Sequence, residues 1–446
     1  MLHVLKNRTY ARLFQAQVIA LLGTGLLTVA LGLLAFDLAG QNAGAVLGTA
    51  YTIKMIAYVA LAPVAHAAFV RLPRKAVMIS ADLIRAGVAL MLPFVDAVWQ
   101  IYVLILLLQV ASATFTPAFQ ATIPDILTDD DDYTNALSLS RLAYDLENLL
   151  SPALAALALT VMGFHWLFLG TVAGFIASAV LVAATTFTAP APAPGPATRT
   201  FRDRLTRGSQ IYLATPRLRG LLALNFTAAA AGGFVLVNSV VLVRVDFAGD
   251  DRDVAYLMAA FGAGSMLAAL VLPRMLRNLT DKAVMIPAAV FLGCIATAIG
   301  GAAMLWAWPA WGWLLVLWAI LGLCYAAILT PAGRLLRRSA RDADRPAIFA
   351  AQFALSHACW LITYPIAGWA GARIGLPATM AVLGIAGLLA AALAWRIWPA
   401  GSGEPLAHDH PDLPADHPHL RAYAGHRHHA HVFVIDDEHH VWPTHG

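Results

Sequence analysis

Long apolar runs alternate with short polar stretches along most of the chain. Twelve of these runs reach roughly 20 residues, the length of helix that crosses a bilayer core of about 30 Å. They lie at 12–36, 44–68, 76–95, 100–120, 136–161 and 166–187, and then at 219–243, 254–272, 284–306, 311–332, 347–370 and 377–398. The pattern predicts an all-α membrane protein with twelve transmembrane helices in two six-helix bundles.

The two sets of runs are separated by a joint without an apolar run. We therefore divide the chain into an amino-terminal bundle at 1–187, a cytoplasmic linker at 188–218, a carboxyl-terminal bundle at 219–398 and a His-rich cytoplasmic tail at 399–446. The linker begins with an Ala-Pro repeat, which favours an extended, semi-rigid spacer. The tail is polar, and we expect it to be flexible.

The second part of the linker is basic and predicts a short amphipathic helix on the membrane surface. Its apolar side chains would face lipid, and its guanidinium groups would face water. The lipid-facing set is Phe201, Leu205 and Ile211, and the water-facing set is Arg202, Arg204 and Arg207.

Composition supports an integral membrane protein. Of the 446 residues, 60% are hydrophobic and only 12% are charged, whereas soluble domains carry about 25% charged residues. Cys294, Cys324 and Cys359 fall in three separate runs without C-x-x-C spacing, so we expect buried thiols and no disulfide. We find no nucleophile–base pattern of an enzyme and no nucleotide-binding loop.

The placement of Lys and Arg predicts the orientation of the chain. The loops on one side carry Arg71, Arg74, Lys75, Arg274, Arg277, Lys282, Arg334, Arg337, Arg338, Arg341 and Arg345. We therefore expect these loops, the linker and both termini to be cytoplasmic in a multi-pass protein of the bacterial inner membrane. The net charge of +4 follows from the same loops, so it does not indicate nucleic acid as a partner.

Three segments carry a resemblance to a known family. They are APVAHAAFVRLPRKAVMISADLIRAG (Ala62–Gly87), FTPAFQATIPDIL (Phe115–Leu127) and NALSLSRLAYDLENLLSPALA (Asn135–Ala155). Together with the two six-helix halves they resemble the major facilitator superfamily, and the last two resemble its macrolide and siderophore exporter branch. His66 and Val70 stand where the family usually shows Gly and Asp, so its cytoplasmic latch ion pair is not expected in this half.

The tail holds eleven of the fifteen histidines of the chain, many of them in H-x-H units. In an extended segment, residues i and i+2 point the same way, so one unit can offer two imidazoles to an ion. Imidazole with carboxylate suits nickel, zinc, cobalt or copper(II), and the tail has no Cys or Met. The predicted metal ligands are His408, His410, His417, His419, His426, His428, His429, His431, His439 and His440.

A major facilitator protein with such a tail resembles the NreB-type nickel exporters. A tail that is pH-sensitive or merely of low complexity is the alternative.

Polar residues inside the predicted spans are candidates for the transport path, because charge at membrane depth is costly. Those chosen for transport or proton coupling are Arg141, Asp145, Glu147, Asn148 and His357. The helical spacing places the first, second and fourth on one face of the fifth span, and Glu147 elsewhere. The pair Arg141–Asp145 could instead be structural, and His357 could be a packed side chain rather than a cation ligand.

Other spans contain further candidates. Lys54 lies in the second span. Asp82 and Arg85 in the third span are expected close to the cytoplasmic edge, where they would brace the loop. Asn225 and Asn238 in the seventh span could supply amide oxygens or hold helices together.

An ion gradient is the expected energy source, because no nucleotide-binding loop is found. Exporting a divalent cation against about 100 mV costs about 4.6 kcal/mol, and exchange for two protons would balance the charge. The sequence favours proton-coupled efflux of a divalent transition metal, nickel before cobalt or zinc, by a monomer without a cofactor. The first alternative is proton-driven export of a macrolide, another drug or a siderophore, which a wide aromatic-lined cavity would favour. A membrane-tethered metal buffer or sensor is the second.

Overall fold

The computed structural model describes residues 2–61, 73–127, 129, 132, 135–136, 139–140, 143, 147, 151, 154–186, 201–341, 344–399, 405–409, 428–435, 439 and 442. Helices make up nearly all of this part of the chain. Two short strands near the carboxyl end are paired with each other.

The first half begins with a capped helix. The side chain of Asn7 accepts hydrogen bonds from the backbone N–H groups of Thr9 (3.1 Å) and Tyr10 (3.2 Å), which satisfies two donors at the helix start. The long helices of this half are Arg8–Ala39, Ala43–Ile56, Arg74–Met91, Val98–Ile126 and His165–Ala183. They form spans one to four and span six. Span five, predicted at 136–161, is described only in part, with gaps between residues 136 and 154.

The second half follows the linker helix. In chain order its helices, the linker helix first, are Phe201–Ala214, Pro216–Val241, Asp251–Met275, Asp281–Leu305, Trp311–Leu329, Ala332–Arg338, Arg345–Pro365, Gly371–Ile374 and Leu376–Ile397. Its six long helices after the linker helix are spans seven to twelve. Spans two, seven and eleven continue as wider π-helical turns at Ala57–Leu61, Leu242–Asp246 and Ile366–Ala370.

Ten stretches of the described chain are long and apolar enough to cross a membrane. The first of them, Arg8–Val59, holds two spans that turn at Gly40–Asn42, where Gly40 takes a φ of +52° that glycine adopts without strain. Counting this first stretch as two spans gives eleven spans, and the predicted span five brings the number to the twelve expected. The predicted all-α membrane fold is confirmed.

Small residues let neighbouring spans pack closely, as is usual inside membranes. In the first half, the Thr171 hydroxyl of span six donates to the carbonyl of Gly23 in span one (2.8 Å). In the second half, spans nine and twelve cross so closely that a Cβ on Gly384 would lie 2.6 Å from the amide nitrogen of Thr297. We call the side with the linker helix the linker face, and the side with the Gly40–Asn42 turn the opposite face.

The linker helix packs on protein. Arg207 forms a two-pronged ion pair with Asp344, with Nε–Oδ1 at 2.6 Å and Nη2–Oδ2 at 3.0 Å. Tyr212 is fully buried, and its hydroxyl donates to Gln352 of span eleven (2.5 Å). Burial raises the pKa of Tyr212 above its usual range, so the phenol keeps its proton. The predicted helix is confirmed, but the predicted lipid-facing position is wrong for Ile211, which is buried in the core. Arg207 is half-buried in its ion pair, and the side chains of Phe201, Arg202, Arg204 and Leu205 lie outside the described part of the structure.

The described part of the tail is folded against the second half. Strand β1, Pro405–Asp409, pairs antiparallel with strand β2, His428–Val432. Just beyond β2, the side chains of Phe433, Ile435 and Trp442 are buried in the main hydrophobic core. For these residues the prediction of a flexible tail is wrong, because burying three large apolar side chains outweighs the freedom of a polar segment.

Arg217, the second residue of span seven, holds this part of the tail in place. Its guanidinium donates to the carbonyl of Phe433 (3.3 Å) and lies 5.5 Å from the ring centre of Trp442. The same group donates to Ser339 Oγ (2.8 Å) and to the carbonyl of Arg338 (2.9 Å), between spans ten and eleven. One buried arginine of span seven therefore ties the described part of the tail to the segment between spans ten and eleven at the linker face.

The cysteines follow the prediction in two of three cases. Cys324 and Cys359 are buried, and all three cysteines are free thiols. Cys294 is exposed, so the expectation of a buried thiol is wrong there. Periodicity places a residue in a span, but it does not decide whether the residue faces the bundle or the lipid.

Candidate transport site

Aromatic side chains of spans two and eleven meet between the two halves. The ring centres of Tyr51 and Tyr364 are 5.0 Å apart, and Tyr58 lies 6.0 Å from Phe353 and 5.4 Å from His357. Trp360 extends the row, at 4.9 Å from Tyr364. We call this set the aromatic seam: Tyr51, Tyr58, Phe353, His357, Trp360 and Tyr364.

The seam lies near the middle of the membrane. A helix rises about 1.5 Å per residue. Lys54, which lies between the seam residues Tyr51 and Tyr58 in the sequence, therefore stands about 16 Å from the start of span two at Ala43. His357 stands about 18 Å from the start of span eleven at Arg345. Both positions are close to half the thickness of a hydrophobic layer of about 30 Å.

Helical spacing explains why the seam residues share a face. Phe353, His357, Trp360 and Tyr364 follow one another at intervals of four, three and four residues, which repeats on one side of a helix. His357 was predicted as a site residue because it is ionisable at membrane depth, and its aromatic partners in this row were not predicted. The regular spacing of aromatic residues around it was the signal available.

One carboxyl group and one amino group lie beside the seam. Glu147 of span five interacts electrostatically with Lys54 and with Tyr58, both of span two. The Lys54 ammonium lies 5.9 Å from the ring centre of Tyr58. Glu147 also reaches span one, where a Cβ added to Gly25 would come within 3.5 Å of its Cγ. The site thus combines a carboxyl group and an amino group with aromatic faces at mid-membrane.

His357 is oriented by its own helix. Its Nδ1 lies 2.6 Å from the carbonyl oxygen of Phe353, one turn earlier, and the two ring centres are 4.0 Å apart. In the neutral imidazole Nδ1 therefore holds the proton, and Nε2 is an acceptor. The structure shows the packed side chain; the role of cation ligand stays a prediction.

Asp82 and Arg85 lie deep in the first half. They stand about 12 and 17 Å from the start of span three at Arg74. Asp82 is 0% exposed and Arg85 is 6% exposed. Arg85 donates to one carboxylate oxygen of Asp82, and the Ser178 hydroxyl of span six donates to the other (2.7 Å). The prediction that this pair braces the loop at the membrane edge is wrong, because about two helical turns separate Asp82 from the loop and about three separate Arg85 from it.

Several predicted site residues fall outside the described part of the chain. They are Arg141, Asp145, Asn148, His410, His417, His419, His426 and His440. Their roles stay predictions.

Of the other predicted metal ligands, His439 packs against the ring of Phe433, with ring centres 4.8 Å apart. The remaining four, His408, His428, His429 and His431, belong to the docked hairpin. Strand pairing places His408 opposite His429 and Asp409 opposite His428. The Nδ1 of His428 lies 2.7 Å from the Oδ1 of Asp409. Among the described residues, no three or more His, Cys, Asp or Glu side chains are grouped so that they could hold a metal ion. The pairing places two histidine residues opposite each other along the backbone, and metal binding by the tail stays a prediction.

The asparagines of span seven have different surroundings. Asn238 donates to the carbonyl of Ala367 (2.9 Å), which links spans seven and eleven. The amide of Asn225 is 3% exposed and has no hydrogen-bond partner among the described residues. Asn238 therefore holds helices together.

The two halves touch directly at the opposite face. A Cβ added to Gly48 of span two would lie 2.8 Å from the carbonyl oxygen of Tyr364 and 2.9 Å from the Cα of Gly368. Arg252, at the start of span eight, donates to the carbonyl of Leu159 in the first half (3.1 Å). These contacts close the space between the halves on that side.

The sequence was also compared with profiles of known protein families. The sequence profile of the Major Facilitator Superfamily matches residues 13–292. The chain belongs to this superfamily of membrane transporters.

Two transporters with similar sequences are only distantly related to this chain. Macrolide efflux protein A of Streptococcus pyogenes is 24% identical over 297 residues, which cover 65% of this chain and 72% of that protein. The uncharacterised MFS-type transporter YfiS of Bacillus subtilis is 27% identical over 258 residues, 55% of this chain and 58% of YfiS. The match thus spans less than two thirds of the Bacillus protein.

Solved structures of other transporters show the same fold. A bacterial homologue of the human lysosomal transporter Spinster has a TM-score of 0.65 at 12% identity, over 88% of this chain and 96% of that chain. A bacterial metal transporter has a TM-score of 0.58 at 13% identity, over 88% and 99% of the two chains. The predicted major facilitator fold is confirmed, and at these identities the likeness concerns the fold alone.

Proposed function

We propose that this transporter exports an amphipathic organic cation in exchange for protons. The observation that carries the proposal is the aromatic seam at mid-membrane with Glu147 beside it. Aromatic rings stack on the flat apolar parts of an organic compound, and their faces attract its cationic group. The carboxylate of Glu147 supplies the opposite charge. The named macrolide efflux relatives support export and an organic substrate.

Glu147 is suited to exchange a substrate cation for a proton. It is partly buried beside Lys54, so either a proton, the ammonium or a substrate cation can balance its charge. Moving one charge against about 100 mV costs about 2.3 kcal/mol, so returning one proton for one monovalent cation cancels this cost. The halves would rock around the seam to expose it to each side in turn. As in the sequence analysis, we propose the bacterial inner membrane, cytoplasmic termini and a monomer.

The test is ethidium efflux from bacteria that lack their own drug exporters. Wild-type protein should lower the steady-state ethidium level, and Glu147→Gln should abolish this effect because the variant cannot release a proton. Tyr364→Ala should weaken it by removing a stacking surface. The matched control is Asp96→Asn, which removes an exposed carboxyl group in a loop and should leave efflux unchanged. Full efflux by Glu147→Gln would refute the proposed coupling.

Export of a divalent metal, nickel before cobalt or zinc, is the second candidate. The eleven histidines of the tail favour it, and the hairpin places two of them opposite each other. The test is radioactive nickel accumulation, comparing cells that make the full chain with cells that make a chain ending at Trp398. Nickel levels equal to those with an empty vector, in cells shown to contain the protein, would refute nickel export.

A further inference from the structure

A cavity of about 580 Å³ opens at the opposite face, where spans seven, nine and eleven end. The second half forms most of its wall. The first half contributes Gln41 and Asn42, in the turn between spans one and two. Among the residues that line the cavity, Asp246 is the only charged one, and Arg244 and Arg373 of the neighbouring turns do not line it. The cavity therefore presents a single negative charge.

This charge lies beside aromatic rings. The indole Nε1 of Trp308 donates to Oδ2 of Asp246 (2.7 Å). Asp246 is exposed, so its carboxylate can also meet a cation that enters the cavity. Phe247 lines the cavity as well, and its ring centre lies 5.7 Å from that of Trp311. A carboxylate next to aromatic faces is an arrangement that attracts organic cations.

The usual role of tryptophan at a membrane surface does not explain Trp308. Interfacial tryptophans are common because the amphipathic ring suits the headgroup region. Trp306 and Trp313 fit that role, since they are 81% and 68% exposed. Trp308 lies between them in the sequence, but it is turned toward span seven and bonded to Asp246. Its ring therefore belongs to the cavity.

The position of Asp246 strengthens the attraction for a cation. Asp246 is the last residue of the π-helical turn Leu242–Asp246, which ends span seven. The carboxyl end of a helix carries a partial negative charge, so a carboxylate there is unfavourable by itself and a cation beside it is favourable. Spans nine and eleven also end at the cavity, whereas span twelve begins there. More helix ends of negative than of positive sign thus face the cavity.

The contacts that close the opposite face lie between this cavity and the aromatic seam. Gly371 lines the cavity, and a Cβ on it would lie 2.9 Å from Oδ1 of Asn238. The same oxygen would lie 2.6 Å from a Cβ on Gly44 of span two. Tyr364 of the seam precedes Gly371 by seven residues, about 10 Å along span eleven. When the halves separate here, span two and the turn Gly40–Asn42 move away, and the cavity joins the seam.

We propose that this cavity is a second binding site for the exported organic cation, occupied after the cation leaves the seam. The carboxylate of Asp246 pairs with the cationic group, and the rings of Trp308 and Phe247 cover its apolar part. The inference rests on the proposed function for the substrate class and for the direction of release. It adds a site on the release side that does not use Glu147.

Equilibrium dialysis of ethidium against the purified full-length protein in nanodiscs counts the sites, with empty nanodiscs as the background. Wild type should bind two ethidium molecules per chain. Glu147→Gln and Asp246→Asn should each lose one of them, and the double variant should lose both. Removing a charge contact at about 4 Å weakens binding about fivefold even at the dielectric constant of water. The matched control is Asp96→Asn, an exposed carboxyl group in a loop, which should lose none.

Thiol labelling locates the second molecule. Gln41→Cys is made in a chain whose native cysteines are replaced by alanine, and a membrane-impermeant maleimide is added with and without ethidium. Ethidium should slow the labelling, and it should do so equally when Glu147→Gln is added. About five times more ethidium should be needed when Asp246→Asn is added. If Asp246→Asn does not fold, Trp308→Ala carries the test and should also need more ethidium.

The outcomes separate this inference from the proposed function. An unchanged ethidium count in folded Asp246→Asn, or labelling of Gln41→Cys that ethidium does not slow, overturns the inference and leaves the seam site as proposed. Equal loss in Asp96→Asn also overturns it, because any surface carboxyl group would then have the effect. A full count in Glu147→Gln, with one molecule lost in Asp246→Asn, overturns the proposed role of Glu147 and leaves the cavity site standing.

Discussion

Closure of the opposite face depends on the absence of a side chain at Gly368. A Cβ at this position would lie 2.5 Å from the carbonyl oxygen of Gly44 and 2.9 Å from the Cα of Gly48. Ordinary contacts begin near 3.4 Å, and both neighbours are backbone atoms, so spans two and eleven would have to separate by roughly an ångström. We predict that Gly368→Ala opens this face.

The size of the effect follows from overpacking. Forcing an extra methyl group into a packed contact costs about 1–3 kcal/mol. The cost falls on the state in which the halves touch at the opposite face, and a state in which they have separated there is spared. The population of the separated state should therefore rise by about 5- to 150-fold.

Thiol labelling measures this population. The three native cysteines, at 294, 324 and 359, are replaced by alanine, and a single cysteine is introduced at Thr49, whose hydroxyl accepts a hydrogen bond from Trp369 across the contact. A membrane-impermeant maleimide is then added to the protein in nanodiscs. Labelling should be about 5- to 150-fold faster in Gly368→Ala than in the parent.

The matched control is Gly32→Ala in span one. Gly32 is also a buried glycine in a transmembrane helix, but an added Cβ there meets no atom within 4 Å. It should label at the parent rate. Equal labelling rates in Gly368→Ala and Gly32→Ala, with both variants folded, would refute the reasoning that this glycine contact closes the opposite face.

Three further predictions concern other contacts. Arg207→Ala should destabilise the protein by about 2 kcal/mol, because it leaves the buried carboxylate of Asp344 unpaired. Thermal unfolding measures this loss of stability. Replacing the exposed Arg219 by alanine is the control and should not change the unfolding temperature. Trp442→Ala should release the tail, since it removes the ring packed on Arg217; trypsin should then cleave the tail faster than in wild type, and an equal rate would contradict the docking. Lys54→Gln should weaken ethidium efflux, because the ammonium can no longer balance Glu147 when the substrate cation leaves. Efflux equal to that of wild type, in cells shown to contain the variant, would contradict a role for Lys54 beside Glu147.

The spans were predictable because the membrane leaves the backbone few choices. Lipid offers no hydrogen-bond partner, so an apolar run of the right length must be a helix. The run at 254–272, for example, is the helix Asp251–Met275, extended at its start by a cap in which Asp250 accepts from the backbone of Asp253 (3.0 Å). The sequence did not predict which surface, protein or lipid, the apolar face of a helix would pack against. The linker helix has one apolar face, and a protein surface and a lipid surface satisfy that face equally well.

The site was predictable only in its rare members. Glu147 and His357 stood out because ionisable groups are uncommon at membrane depth. The aromatic partners did not, since Tyr58 and Phe353 are about three hundred positions apart in the chain and meet only when the two halves assemble. The depth of Asp82 was misjudged for a different reason. Its helix starts at the loop, but the carboxylate is turned toward Ser178 of another span.

The position of the tail separates the two candidate functions. Arg217, which holds the docked part of the tail, is the second residue of span seven, so the described part of the tail sits at the linker face. Half of a membrane about 30 Å thick separates that face from the seam. The tail histidines anchored there are therefore not ligands of the mid-membrane site in this state. Metal binding by the tail would not make the seam a metal site, and loss of nickel binding on truncation would leave the proposal of organic-cation export untouched. The variants at Glu147 and Tyr364 address the seam alone, whatever the tail binds.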